Sequence, residues 1–199
     1  KLLRDLEGLI YTDETPVSGF RYVQSAEKFP DVSKVNTDDW AYCDRYPMSW
    51  GGHRAYYWFE TFVTIPEEMD GQCVVYEQTT GKEDGWDATN PQFTIYVNNV
   101  LKQGLDINHR EVLLTEHAKA GERYRIMLSA FTGDHNMNLV LDARIKVLHR
   151  ETEKYYYDLK MPYDTACLLR ESDTEYRDII LNLNESLNLL DRRKPYSDA

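Results

Sequence analysis

The sequence predicts a mainly β protein: an antiparallel β-sandwich with a short N-terminal helix and a C-terminal helical linker. Two observations predict this class. Segments rich in aromatic and β-branched residues follow one another between residues 53 and 148, separated by turn signals and with no helical pattern between them. After His149 the pattern changes to leucines and charged residues at helical spacing.

Three regions follow from these changes of pattern. Residues 1–35 hold the short helix, with leucines at helical spacing in the first ten residues, and an extended, turn-rich lead-in punctuated by Pro16, Gly19 and Pro30. Residues 36–150 form the β-sandwich domain. Residues 151–199 form a helical linker, which we expect to lead toward a further domain beyond this chain.

The strongest strand signal is the run from His53 to Ile65, which ends before Pro66. Alternation gives it two largely apolar faces, so we expect a central strand covered on both sides. Asn98 and Asn99 suit a tight hairpin, since asparagine tolerates positive φ. The other predicted strands are 72–80, 92–98, 122–131 and 138–148, the last two joined by a loop around Gly133 and Asp134.

The helical tail has two segments, 151–170 and 173–190. Pro162 is expected to kink or interrupt the first segment, and Ser172 or Asp173 to cap the second. The second segment carries a leucine stripe, which must be buried against the sandwich or against another domain; its members are Leu183, Leu187 and Leu190.

Composition excludes some classes of function. The 199 residues carry a formal net charge of −11, which repels phosphate backbones and argues against nucleic acid as a partner. No apolar run is long enough to span a membrane. The three cysteines are widely spaced and fit neither a disulfide framework nor a zinc site, so we expect free thiols in a reducing compartment.

A polar cluster at residues 82–90 is the first candidate for chemistry. Asp84, Asp87 and Asn90 offer oxygen ligands to a hard cation, but their spacing is not that of a calcium loop, and a capped connection between strands explains them as well. Trp86 is harder to dismiss, because an exposed tryptophan makes a platform for sugar stacking or an interface anchor. Trp50, before Gly51 and Gly52, is expected in a surface loop and is the second such candidate.

A second cluster contains Asp106, His109 and Glu111. These residue types suit a metal site or an acid–base set, yet there is no second histidine close by in the sequence. We therefore expect them to hydrogen-bond a turn, with Asn108 and His109 as local caps. No serine-nucleophile, phosphate-loop or dinucleotide motif is found, so neither catalytic nor metal-binding residues are assigned.

Several strings together resemble a known family. They are YWFE at Tyr57–Glu60, DGWDATNPQF at Asp84–Phe93, IYVN at Ile95–Asn98, QGLD at Gln103–Asp106 and NHRE at Asn108–Glu111, followed by YYYDL at Tyr155–Leu159. In this order they resemble the N-terminal accessory domain of family thirty-eight glycoside hydrolases, the α-mannosidases, in the branch shared by cytosolic, vacuolar and bacterial enzymes. Asn99 stands where such domains usually have glycine.

The resemblance implies a jelly-roll, galactose-binding-like sandwich that precedes a catalytic barrel. It implies no cofactor in this chain and a divalent metal, zinc, in the catalytic domain, whose His-x-Asp motif does not occur here. It further implies a cytoplasmic location, a homo-oligomeric enzyme, a downstream catalytic domain as partner and a mannose-containing glycan as ligand.

Three hypotheses of function result. The first is a non-catalytic N-terminal domain of an α-mannosidase, serving a structural, oligomer-interface or substrate-entrance role. The alternative is a carbohydrate-binding module that uses Trp86 or Trp50 as a stacking platform, with Asp87 and Asn90 as partners of sugar hydroxyls. The third is a stand-alone hydrolase with an unrecognised site. The first two differ in whether Trp86 is exposed or buried.

Overall fold

A computed structural model describes residues 1–43, 45–81 and 92–189 of the chain. The described residues form a mainly β protein with two antiparallel sheets that face each other, a short N-terminal helix and C-terminal helices. The predicted fold class is therefore confirmed.

The described residues contain eleven strands and three α-helices. The strands are β1 (Tyr11–Val17), β2 (Arg21–Gln24), β3 (Ala41–Tyr42), β4 (Met48–His53), β5 (Tyr56–Thr64), β6 (Val74–Thr79), β7 (Gln92–Val97), β8 (Val100–Leu105), β9 (Glu111–Thr115), β10 (Arg123–Phe131) and β11 (Asn136–Leu148). The helices are α1 (Leu2–Glu7), α2 (Arg150–Ala166) and α3 (Thr174–Asn188), and short 3-10 turns lie at Val32–Lys34 and Glu67–Met69.

The strands divide between two sheets. Sheet I has the order β1-β11-β6-β9, with β4 also paired to β11. Sheet II has the order β3-β2-β5-β10-β7-β8. The long strand β11 pairs with β4 through its first half and with β6 through its second half. Because neighbouring strands are far apart in sequence, most of the register is set by long-range packing rather than by hairpins.

The core lies between the two sheets and follows the alternation of each strand. On β5, Phe59 and Val63 point into the core, whereas Trp58 and Glu60 are buried on the opposite, outer face of sheet II. The outer face is covered there by the lead-in around Val32, which packs against Trp58. The prediction of a central strand covered on both sides is confirmed for the middle of β5, whereas Tyr56 and Phe62 on its outer face are 45% and 43% exposed.

The tight turn at Asn98 and Asn99 is confirmed as well. Both residues have positive φ, 49° and 69°, and they join the antiparallel pair β7 and β8. Such a two-residue turn matches the twist of the strands, and asparagine adopts the left-handed region more readily than most residues. The sequence did not predict β1 to β4, β8 or β9, because these strands are short or lack regular alternation.

The chain forms two compact units. One is Asp13–Val147, and the other is Lys1–Thr12 together with the described residues from Leu148 onward. Strands begin at Tyr11, so the lead-in of the first 35 residues contributes strands to the sandwich rather than preceding it. In the other unit, Leu6 of α1 and Tyr156 and Leu159 of α2 are buried.

Two details of the helices differ from expectation. Helix α2 runs through Pro162 to Ala166, so the proline does not interrupt it. Asp173 occupies the N-cap position of α3, but its side chain accepts a hydrogen bond from the Arg170 N–H at 3.2 Å instead of capping the helix. Leu183 and Leu187 are half-buried, and Leu190 lies outside the described residues.

Cys43, Cys73 and Cys167 are all free thiols, as predicted. Among the described helices, none combines the length and the apolar character that a membrane span requires.

Candidate functional site

A cavity of about 380 Å³ lies on the outer face of sheet II, at the end where β5 begins and β10 ends. Tyr56 and Phe131 are direct cross-strand partners there, and their rings stack with centroids 4.6 Å apart and an interplanar angle of 26°. Tyr56 remains 45% exposed. An aromatic pair therefore forms one wall of the cavity and presents an apolar face to solvent.

Polar side chains surround this aromatic pair because of the strand register. Gln92 is the cross-strand partner of Phe131, and Thr94 is the partner of Ser129, so all four lie on the outer face. Gly104 lies opposite Thr94 on β8 and has no side chain to fill the space. These five residues line the cavity. The cavity thus combines an aromatic wall with amide and hydroxyl groups, the composition of a small-ligand site.

Asp106 lines the cavity immediately after β8, and its carboxylate is held by a local turn. Its Oδ1 accepts hydrogen bonds from the backbone N–H groups of Asn108 and His109 at 2.8 and 2.7 Å, and lies 3.1 Å from His109 Nδ1. Burial raises the pKa of Asp106, but these hydrogen bonds outweigh it, so the pKa lies below its ordinary value. Asp106 is therefore ionised and its geometry is fixed.

The second sequence cluster is thus structural, as predicted, but with different roles. Asp106 is the acceptor and the backbone of Asn108 and His109 supplies the donors, whereas we had expected those two residues to be the caps. Glu111 belongs to β9, and its Oε1 lies 3.7 Å from Lys146 Nζ. Within the described part of the chain, no group of three or more His, Cys, Asp or Glu residues is placed to hold a metal ion.

Trp50 is buried in the core, so the expectation that it lies in a surface loop is wrong. It belongs to β4, is 5% exposed, and packs edge-on against Tyr57 and Phe59 with ring centroids 5.4 and 5.3 Å apart. A buried ring offers no platform to a sugar.

The glycines after Trp50 have a different role from the one expected. Gly51 has a φ of 144°, and a Cβ there would lie 2.1 Å from the carbonyl oxygen of Met137. Gly51 therefore marks a close approach between β4 and β11, and both glycines belong to a paired strand and not to a loop.

The remaining sequence candidates, Trp86, Asp87 and Asn90, lie outside the described residues, as does Asp84. The residues that form the cavity wall, Tyr56 and Phe131, were not selected from the sequence. Alternation along β5 places Tyr56 on the face opposite Phe59, but only the pairing of β5 with β10 brings Phe131 beside it.

Comparison with known proteins gives a likeness of fold. No family model matches the chain, and no curated protein matches it. Similar solved structures include a β-glucuronidase from Bacteroides uniformis, at 11% identity and a TM-score of 0.47. Others are a glycosyl hydrolase family 2 member from Bacteroides cellulosilyticus, at 13% and 0.49, and a β-glucuronidase from Ruminococcus gnavus in complex with D-glucuronic acid, at 12% and 0.49.

The matched regions cover 67%, 68% and 69% of this chain but only 18%, 21% and 30% of those proteins, respectively. The chain therefore spans less than a third of each. At such low identity the likeness concerns the fold alone. The resemblance to family thirty-eight α-mannosidases is wrong, because the similar structures are β-glucuronidases and a family 2 member, and no α-mannosidase family model matches. The expectation of zinc in a catalytic domain rested on that resemblance and is withdrawn with it.

Proposed function

We propose that this chain is a non-catalytic accessory domain of a glycoside hydrolase, and that it binds saccharides in the cavity beside Tyr56 and Phe131. The observation that carries the proposal is the half-exposed aromatic stack with amide and hydroxyl side chains beside it and the Asp106 carboxylate at its edge. The proposal rests on this cavity and not on the likeness of fold.

The chemistry of a sugar ring suits the cavity. A pyranose has an apolar C–H face, which loses contact with water when it lies on an aromatic ring, and a rim of hydroxyl groups that donate and accept hydrogen bonds. Tyr56 and Phe131 supply the ring surface, and Gln92, Thr94 and Ser129 are placed to bond hydroxyls. The volume of about 380 Å³ is near the lower end for small-molecule sites, so one or two sugar rings fit.

The described residues that line the cavity are not equipped for hydrolysis. Glycosidases cleave with two carboxyl groups that flank the bond, roughly 5 to 9.5 Å apart. Among the described residues that line the cavity, Asp106 is the single carboxylate, and its Oδ1 is already engaged by the turn. The partner we propose is a catalytic domain elsewhere in the protein.

Titration of the full chain tests the proposal. The probes are cellobiose, xylobiose and methyl α-mannoside. Their binding is measured by calorimetry and by NMR shifts of residues around Tyr56. We expect saturable binding of at least one probe and a loss of about tenfold in its affinity for Tyr56→Ala, because the exposed aromatic face is removed. Tyr42→Ala is the matched control, since Tyr42 is 59% exposed and does not line the cavity.

Two results would contradict the proposal. One is the absence of saturable binding of any probe up to about 50 mM, well above the millimolar range in which weak ligands still register. The other is binding that Tyr56→Ala leaves unchanged. Turnover of aryl glycosides by the purified chain would contradict the non-catalytic role separately. The homo-oligomeric state, the cytoplasmic location and a mannose-containing glycan as the ligand stay predictions.

A further inference from the structure

A second opening lies on the outer side of sheet II. It is a groove of about 490 Å³ in the lead-in, walled by Trp40 and Phe29, whose rings lie 6.4 Å apart with an interplanar angle of 29°. We call it the Trp40 groove. Its rim carries polar side chains; they are Glu27, Asp31, Lys34 and Asn36.

Trp58 connects this groove to the cavity at Tyr56. Trp58 lies two residues after Tyr56 on the same face of β5 and is the cross-strand partner of Ser129, which lines the cavity. Trp58 also packs against Phe29 of the groove, with ring centroids 4.9 Å apart. Side chains at i and i+2 on a strand stand roughly 7 Å apart, so the aromatic side chains of the two openings lie within roughly 20 Å of each other.

The groove is rigidly attached to the sheet. The carbonyl oxygen of Glu27 accepts a hydrogen bond from Trp58 Nε1 at 2.9 Å. Arg125 donates to the carbonyl oxygens of Val32 and Val35 at 3.2 and 3.3 Å, and it is itself held by Glu60 at 2.7 Å. A surface that is already ordered loses little conformational entropy when a ligand binds.

The charges of the groove disfavour an anionic ligand. Lys34 lies 2.8 Å from Asp31 and, with Ser33, lowers the pKa of that carboxyl to about 2, so these two charges neutralise each other. Glu27 then leaves the described rim with one net negative charge. The chain as a whole carries −11, which disfavours a polyanion. A neutral polysaccharide chain fits this groove, because the aromatic rings offer a flat apolar surface and the polar side chains of the rim can bond hydroxyl groups.

We propose that the Tyr56 cavity and the Trp40 groove are two subsites of one face that binds a neutral oligosaccharide longer than a disaccharide. This inference rests on the proposed function at the cavity. A ligand that reaches both subsites gains affinity because its second contact is intramolecular.

The test compares short and long ligands on the full chain. The probes are the dimers and hexamers of the cello-, xylo- and manno-oligosaccharide series. For the series that binds, the hexamer should bind at least about tenfold more tightly than the dimer. Trp40→Ala should remove that gain while leaving the dimer within about twofold, whereas Tyr56→Ala should weaken both. Tyr42→Ala is again the control.

Trp40 also packs on Phe29, so thermal unfolding of each variant is measured first, and Trp40→Phe serves as a second variant that keeps an aromatic ring. In addition, the indole N–H signal of Trp40 should shift with the hexamer and not with the dimer. Equal affinity of dimer and hexamer, or a hexamer unaffected by Trp40→Ala with an unmoved indole signal, would overturn the two-subsite inference while the cavity proposal stands. If neither dimers nor hexamers bind up to about 50 mM, both proposals fail.

Discussion

The outer faces of the two sheets carry different kinds of side chains. The outer face of sheet I is a ladder of alternating charges on neighbouring strands. Lys146 on β11 lies 2.7 Å from Glu77 on β6, and Arg144 on β11 lies 3.0 Å from Glu14 on β1 and 3.1 Å from Asp142. Each charge has an opposite partner across or along the strands, which is a favourable arrangement on a sheet.

The outer face of sheet II is built from rings instead. Tyr56 and Phe131 stack at one end of this face. Next to them, Trp58 and Met127 are covered by Val32 of the lead-in. One buried ion pair, Glu60 with Arg125, lies among these rings, with side chains 5% and 16% exposed. On the outer face of sheet I these charged side chains are paired with one another. On the outer side of sheet II, two openings expose aromatic rings to solvent.

The largest effect is expected from the ion pair under the aromatic face. Arg125→Ala should lower the free energy of unfolding by about 3–5 kcal/mol, because it leaves the Glu60 carboxylate buried without its cation and also frees the carbonyls of Val32 and Val35. Urea denaturation measures this. Arg123→Ala is the control: Arg123 lies over the ring of the half-exposed Phe62, an interaction of about 0.5–1 kcal/mol. Equal costs for the two variants would refute the role of the buried pair.

A smaller effect is expected on the charged face. Lys146→Met removes the nearest cation from Glu77, but Arg144 Nε remains 3.7 Å from the same oxygen. We therefore expect a loss of about 2 kcal/mol, less than the usual cost of removing one partner of a buried pair. Lys102→Met on the exposed strand β8 should stay within about 0.5 kcal/mol. A loss for Lys146→Met as large as that for Arg125→Ala would show that Arg144 does not compensate the charge of Glu77.

The smallest effect is expected at the rim of the cavity and depends on pH. The pKa of Asp106 is lower in the folded protein than in the unfolded chain, so its contribution is present above the unfolded pKa and is lost as pH falls through the folded pKa. Asp106→Asn should cost about 1 kcal/mol at pH 6, since charge-assisted hydrogen bonds to the turn are replaced by neutral ones.

Melting temperatures of both proteins between pH 6 and pH 2.5 measure this dependence. The difference between wild type and Asp106→Asn should shrink below about pH 4, as the wild-type carboxylate is protonated. A difference that stays constant over the whole range would mean that the hydrogen bonds to the charged form do not stabilise the turn.

The sequence predicted some strands of the sandwich and missed others. The sequence predicted β5, β6, β7, β10 and β11, because each is a run of β-branched and aromatic residues between turn signals. It predicted the Asn98–Asn99 turn from the conformational tolerance of asparagine. It missed β4, because Gly51 and Gly52 suggested a loop, although Gly51 lies where β4 closely approaches β11.

The sites were less accessible to sequence reasoning than the fold. The interpretation of Asp106 and His109 as a turn was correct, since an Asp side chain and the backbone two and three residues later interact locally. Trp50 was misplaced because neighbouring glycines suggested a loop. Tyr56 with Phe131, and Trp40 with Phe29, could not be selected, because the partners are 75 and 11 residues apart and nothing local brings them together.

By itself the sequence determined the class of fold, since alternation, turn residues and helical spacing are properties of neighbouring residues. The tertiary structure decided which aromatic residues are buried and which remain open. Trp50 precedes two glycines and Tyr56 lies in a run of aromatic residues, yet pairing of β4 with β11 puts Trp50 into the core and pairing of β5 with β10 puts Tyr56 at a cavity. Strand pairing across long stretches of chain makes that choice, because one residue of register reverses the face on which a side chain lies.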